Sequence, residues 1–137
     1  MKRSVYNSTT TRVSIGLDTI SATANGSTVD RSEPDLSNFR SAMLVVVAGD
    51  ITDGTHALKL QESDNGSNWS DVDAAHLQGP AISLDSGTAA GTYEQGYTGG
   101  ARYLRAVTTV AGSPVTGGVY GALIVLSEAR RTPIPRS

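Results

Sequence analysis

The apolar positions along this chain come in short runs, and several of them repeat with a period of two. In HALKLQES (56–63), Leu58 and Leu60 fall on one side, with Ala57, Lys59 and Gln61 on the other. Such alternation predicts a strand with one buried face. Val13, Ile15 and Leu17 alternate with Ser14 and Gly16 and predict another. Two longer runs behave differently. AMLVVVAGD (42–50) and VYGALIVLSEA (119–129) are apolar on both sides, the pattern of strands covered on both faces. ARYLRAVTTV (101–110) is rich in β-branched residues, which suit a pleated surface. Shorter strands are predicted over 68–72, 81–84 and 91–98. Turn dipeptides separate these runs, among them Asn25-Gly26, Asp53-Gly54, Gly99-Gly100 and Gly117-Gly118. No segment sustains a 3.6-residue period. About seven to nine short strands with turns between them predict an all-β fold, an antiparallel β-sandwich or jelly-roll-like barrel.

The two ends read differently. SVYNSTTT has no strand pattern, and RRTPIPRS carries two prolines, which exclude it from a sheet interior. The expected organisation is an N-terminal arm over 1–12, a single β domain over 13–128 and a C-terminal arm over 129–137. Charge sharpens this division. The formal net charge of −2 conceals an uneven distribution. Lys2, Arg3 and Arg12 stand in the first arm and Arg130, Arg131 and Arg136 in the last, with no acid in either. The stretch 13–128 keeps 5 of the 11 basic residues and all 13 acids, which leaves it at −8. A nucleic-acid binder is expected to carry its basic face on the folded body, so nucleic acid is not an expected partner. Basic ends suit docking onto acidic protein surfaces.

Cysteine is absent, which excludes disulfides and thiolate metal sites. The N-terminus has basic residues but no apolar stretch of the signal-peptide kind, and no run approaches the roughly 20 residues of a membrane helix. Neither export through a cleaved signal nor a membrane partner is expected. His56 and His76 are the histidines, and no dense ligand cluster surrounds them, so no metal and no cofactor is expected. No nucleophile–base pattern and no phosphate-binding loop stands out.

The one local motif is D-x-G-x-x-W, through Asp64, Gly66 and Trp69 in LQESDNGSNWSDV. It resembles the Asp-box of sialidases and related propellers, where it recurs once per blade and forms a hairpin turn. Here it occurs once, and Glu62 stands at the serine position of that pattern. The expected role is structural: Asp64 accepts backbone N–H bonds across the turn, Gly66 supplies a positive φ, and Trp69 returns to the core. Tyr93, Tyr97, Tyr103 and Tyr120 suit either a sugar-binding platform or a protein interface.

Taken together, ATANGSTVD, AMLVVVAGDITDGTHALKLQESDNGSNWSDV and GGARYLRAVTTVAGSPVTGGVYGALIVLSEARRTP resemble a family of small virion proteins of tailed bacteriophages, encoded beside the major capsid protein. DGTHALKLQESDNGS and RYLRAVTTVAG carry most of the resemblance, which spans roughly residues 22–133. It implies a non-enzymatic decoration or cement protein on the capsid exterior, made in the bacterial cytoplasm. The implied partners are the major capsid protein and sister subunits, with a closed trimer favoured. On that view the arms make the contacts. Arg3, Arg12, Arg130 and Arg131 are the candidate charged contacts, and Val5, Tyr6 and Ile134 the candidate apolar anchors. Two other readings remain open: a carbohydrate-binding or host-recognition module of the virion, and a head–tail connector or tail component.

Overall fold

The structure is a computed structural model and describes residues 4–33, 37–130 and 132–134. Two antiparallel sheets face each other. One is built from β1 (Thr10–Ile20), β4 (Ser41–Ile51), β7 (Leu77–Gln78), β9 (Gly91–Tyr97) and β11 (Gly118–Ser127), in the order β1-β11-β4-β9-β7. The other holds β2 (Ala24–Asn25), β3 (Val29–Asp30), β5 (Thr55–Ser63), β6 (Ser70–Asp71), β8 (Ile82–Leu84) and β10 (Tyr103–Ala111). Its spine is the long β5–β10 ladder, and the shorter strands pair against it. The all-β sandwich expected from the alternation is therefore the observed fold. The helical content among the described residues is one 3-10 turn, Ala74–His76.

The core lies between the sheets. Leu44 and Val46 of β4 meet Leu58 and Leu60 of β5, Leu104 and Ala106 of β10, and Tyr120, Ile124 and Leu126 of β11, all buried. The side chains that alternate with these point outward, and here the sequence reading needs correction. The runs 42–50 and 119–129 are not covered on both faces. Met43 and Val45 are half-buried, while Val47 and Val119 are each 39 % exposed. No further layer of described residues covers the outer face of this sheet.

β1 also differs from expectation. It begins at Thr10, inside the segment read as an arm, and pairs with β11 from Thr10↔Leu126 to Ile20↔Gly118. Two register shifts, between Val13 and Ile15 and between Ile15 and Asp18, break its alternation. Such bulges change which side chains face the core, so Val13 and Leu17, expected on a buried face, are exposed. Ser14 remains directed inward, where its hydroxyl accepts from Ala106 N and donates to Ser27 O.

The loop from β10 to β11 folds back onto Asp53. Its carboxylate accepts backbone N–H bonds from Val115, Thr116 and Gly117. These bonds, Gly117 foremost, hold the Asp53 carboxyl below its ordinary value of 3.8. Asp30, held by Arg102, and Asp71, held by Gln61 and Lys59, are shifted the same way. Carboxyls lowered by folding stabilise the protein fully above the unfolded value. That contribution disappears as pH falls through the folded values. The thermal midpoint is therefore expected to fall once pH drops below about 4. Asp53→Asn should flatten part of that acid limb. An acid limb unchanged in the variant, followed by circular dichroism, would remove Asp53 from this account.

Candidate functional site

The two sandwich faces differ chemically. On the six-stranded sheet the outward side chains form a polar lattice. Lys59 Nζ donates to Asp71 at 3.0 Å, Gln61 Nε2 to Asp71 at 2.9 Å, and Arg105 to Gln61 at 2.9 and 2.7 Å. This face is finished with polar groups that satisfy one another and water.

The outer face of the five-stranded sheet has the opposite character. The register places Val13 beside Leu123 and Leu123 beside Val45; Gly121 sits beside Val47 in the next row. Leu17 and Val13 on the edge strand are 68 % and 63 % exposed. A shallow depression of about 140 Å3, lined by Val13, Ile15, Leu17, Val47 and Leu123, runs between β1 and β4. Gly121 forms its floor: a Cβ there would come within 3.0 Å of the β1 backbone at Leu17. Single exposed apolar residues are ordinary, but a contiguous set across three neighbouring strands makes this face a candidate contact surface. No reading of the sequence singled out these residues as a site. Their signal was the unbroken apolar character of 42–48 and 119–126, which implied cover on a second face.

The chain ends meet at one end of the sandwich. Ile134 N donates to Asn7 O at 3.0 Å, and Ala129 N to Ser8 O at 3.4 Å. Among the expected contact residues, Val5 and Tyr6 are 71 % and 68 % exposed. Arg130 is exposed on the C-terminal segment. Arg12 lies within β1, half-buried, with its guanidinium on Thr10 Oγ1 and Thr11 O. Ile134 is no free anchor: it packs into this chain's own core at 6 % exposure. Its backbone bond to Asn7 turns the C-terminal segment inward. Arg3 and Arg131 lie outside the described residues.

In the 60–72 stretch, Gly66 has φ +78°, a left-handed position that suits glycine. Asp64 is exposed and does not hold the turn. Ser63 Oγ accepts from Asn65 N and Gly66 N, and Asn65 Oδ1 accepts from Ser67 N and Asn68 N. Ser63 is buried beneath the turn, and that position lets its hydroxyl reach the backbone donors. Trp69 does not return to the core either. It is half-buried on the outer face, its ring under the Arg105 guanidinium at 4.4 Å. Cation–π stacking on a cross-sheet arginine competes with burial for this ring.

The tyrosines do not share a platform. Tyr97 and Tyr120 are buried at 3 % and 0 %, in the core. Burial, then the bond to Glu62 at 2.6 Å, pushes the Tyr97 hydroxyl up to about 12. Tyr103 lies under Arg102 at 5.0 Å, and the Tyr93 hydroxyl donates to Ala89 O. His56 is a core histidine: Nδ1 is 2.9 Å from the Tyr120 hydroxyl and Nε2 is 3.0 Å from Asp53 O. His76 is exposed. Among the described residues no group of three or more His, Asp or Glu side chains could hold a metal ion.

No protein-family model matches this chain, and no curated protein does. Among solved structures, the chain is similar to the coat protein of Tobacco streak virus. One form aligns at 13 % identity and TM-score 0.41, covering 100 % of this chain and 96 % of that one. The coat protein dimer aligns at 15 % identity and TM-score 0.44, covering 100 % of this chain and 93 % of that one.

Proposed function

We propose that the protein is a structural component of a virus particle, bound to the outside of a bacteriophage capsid as a decoration or cement subunit. The observation that carries this reading is the uncovered apolar face of the five-stranded sheet. Its central strands are apolar on both sides, yet the fold covers only one. The second side then serves contact with another protein, the major capsid protein or a sister subunit. The polar lattice on the opposite face makes that assignment directional. The sequence resemblance to small phage virion proteins points the same way. A closed trimer would repeat each contact around the particle and turn modest single contacts into firm attachment. The paired chain ends add exposed Val5 and Tyr6 at the rim.

The test uses purified full-length chain and capsids that lack it. Leu17→Asp and Val47→Asp put a charge on exposed sites of the apolar face without entering the core. Each is expected to reduce occupancy about tenfold or more, the loss typical of a central interface residue. Val5→Ser combined with Tyr6→Ser tests the rim and should have a smaller effect. Undiminished occupancy in all three would defeat the proposal.

A further inference from the structure

Four arginines meet at one end of the sandwich. Arg31, Arg40, Arg102 and Arg130 line an open recess of about 550 Å3, with Gly99 and Gly100 in its wall. They come from separate stretches of chain, and backbone bonds assemble them. Arg31 N donates to Arg102 O at 2.9 Å, and Phe39 N donates to Arg31 O at 3.0 Å. Arg40 N donates to Glu128 O at 3.3 Å, and Arg130 N to Ser37 O at 2.8 Å.

Among the described residues, acids balance this charge only at Arg102, where Asp30 and Glu33 act. Asp30 takes both 2.9 Å bonds from Arg102 and so neutralises one arginine. No acid is among the described residues that line the recess, and Arg31, Arg40 and Arg130 have no carboxylate partner among them. Arg31 is the most telling of the four. It is 7 % exposed. Its terminal nitrogens donate to backbone carbonyls: NH1 to Gly99 O at 3.2 Å and Ala101 O at 2.8 Å, NH2 to Arg40 O at 2.8 Å. Its guanidinium lies 5.5 Å from the Tyr97 ring centroid. Carbonyls and a ring face orient a cation but do not neutralise it. Its Nε is a further donor, buried with no partner. A buried cation without a counter-charge, and a buried donor without an acceptor, each cost stability. An anion in the recess would supply the missing counter-charge. The surrounding body is acidic, −8 over 13–128, so this concentration of positive charge is local.

We infer that the recess binds a carboxylate side chain presented by an acidic peptide segment of a partner protein. Guanidinium forks match the geometry of a carboxylate and can grip it through two parallel bonds. The recess is far roomier than a bare anion requires, and its wall includes the Gly99 and Gly100 main chain. Room and main-chain groups together suit an extended peptide. This site lies apart from the apolar sheet face, and the inference does not depend on the capsid reading.

The experiment titrates the full-length protein into a fluorescein-labelled peptide of alternating Asp and Glu, read by anisotropy at low salt. The matching Asn/Gln peptide is the control, and inorganic phosphate the competitor. Arg40→Gln and Arg130→Gln alter exposed side chains at the rim and spare the packing of Arg31. The acidic peptide should bind at least about tenfold tighter than its amide counterpart, and each variant should weaken it by about tenfold, as expected for a lost charged hydrogen bond. Rising salt should weaken it further. Equal affinity for the two peptides, no binding of the acidic one, or full binding in both variants overturns the inference. Phosphate binding at the arginines without peptide binding overturns it as well, because the site would then be a small-anion site.

Discussion

Replacing Tyr120 by alanine is expected to cost about 3–5 kcal/mol of stability, the range for removing a large buried ring. Tyr120 is fully buried on β11 and reaches across the core to the other sheet. There its hydroxyl meets His56 Nδ1 at 2.9 Å and Thr108 Oγ1 at 2.6 Å, and its ring stands edge-on to the imidazole at 5.1 Å. The roles follow from chemistry. Asp53 O can only accept, so His56 Nε2 carries a hydrogen. In the neutral ring Nδ1 then accepts from the Tyr120 hydroxyl, and Thr108 donates to the Tyr120 oxygen. Alanine removes the ring and leaves two buried polar groups unpaired. Urea denaturation should show the midpoint shifted with the full loss. Tyr120→Phe separates the two contributions: it keeps the ring, removes the hydroxyl, and should cost about 1–3 kcal/mol. A loss below about 0.5 kcal/mol in Tyr120→Phe would mean that the hydroxyl network contributes nothing to stability.

The same contacts explain what the sequence disclosed. β5 was legible from its alternation and β10 from its β-branched residues, because both are local properties. β2 and β3 were not, because two-residue strands exist only through distant partners: Asn25 pairs with Val107, and Asp30 with Tyr103. His56 and Tyr120 stand 64 residues apart, so no spacing rule could pair them. Trp69 was misplaced because residue type argued for the core, while Arg105, reached only through the β5–β10 register, offered its ring a surface partner. The open apolar face was legible in part. The two-sided runs announced a second covered face, but not that the described residues leave it open. The arginine recess was illegible, since loop-to-loop backbone bonds alone bring its members together. The arms were visible as patternless ends. Their pairing through Asn7 and Ile134, and the burial of Ile134, depend on tertiary contacts.

Gly117→Ala is expected to cost about 2–4 kcal/mol through backbone geometry, with no apolar contact removed. Gly117 has φ +84° at the entry to β11. A left-handed conformation costs a residue with a Cβ about 1–2 kcal/mol. Space is the second problem. A Cβ at Gly117 would collide with the Ile20 carbonyl, and it would come within 2.7 Å of the Ile20 carbonyl carbon. Those atoms are backbone at the end of β1, where Ile20 pairs with Gly118, so no side-chain rotation gives relief. Gly117 also accepts from Thr52 N and Asp53 N at 2.9 and 3.2 Å and donates to the Asp53 carboxylate. Moving it loosens the Asp53 clasp and the end of the β1–β11 ladder together. Gly112 is the control. Its φ is +85°, but a Cβ there would meet only Gly54 Cα at an ordinary 3.6 Å. Gly112→Ala therefore carries the conformational cost alone, about 1 kcal/mol. Amide hydrogen exchange should separate the two variants further, with Thr19 and Ile20 exchanging faster only in Gly117→Ala. Equal destabilisation by the two substitutions would show that close approach to β1 is not what demands glycine at position 117.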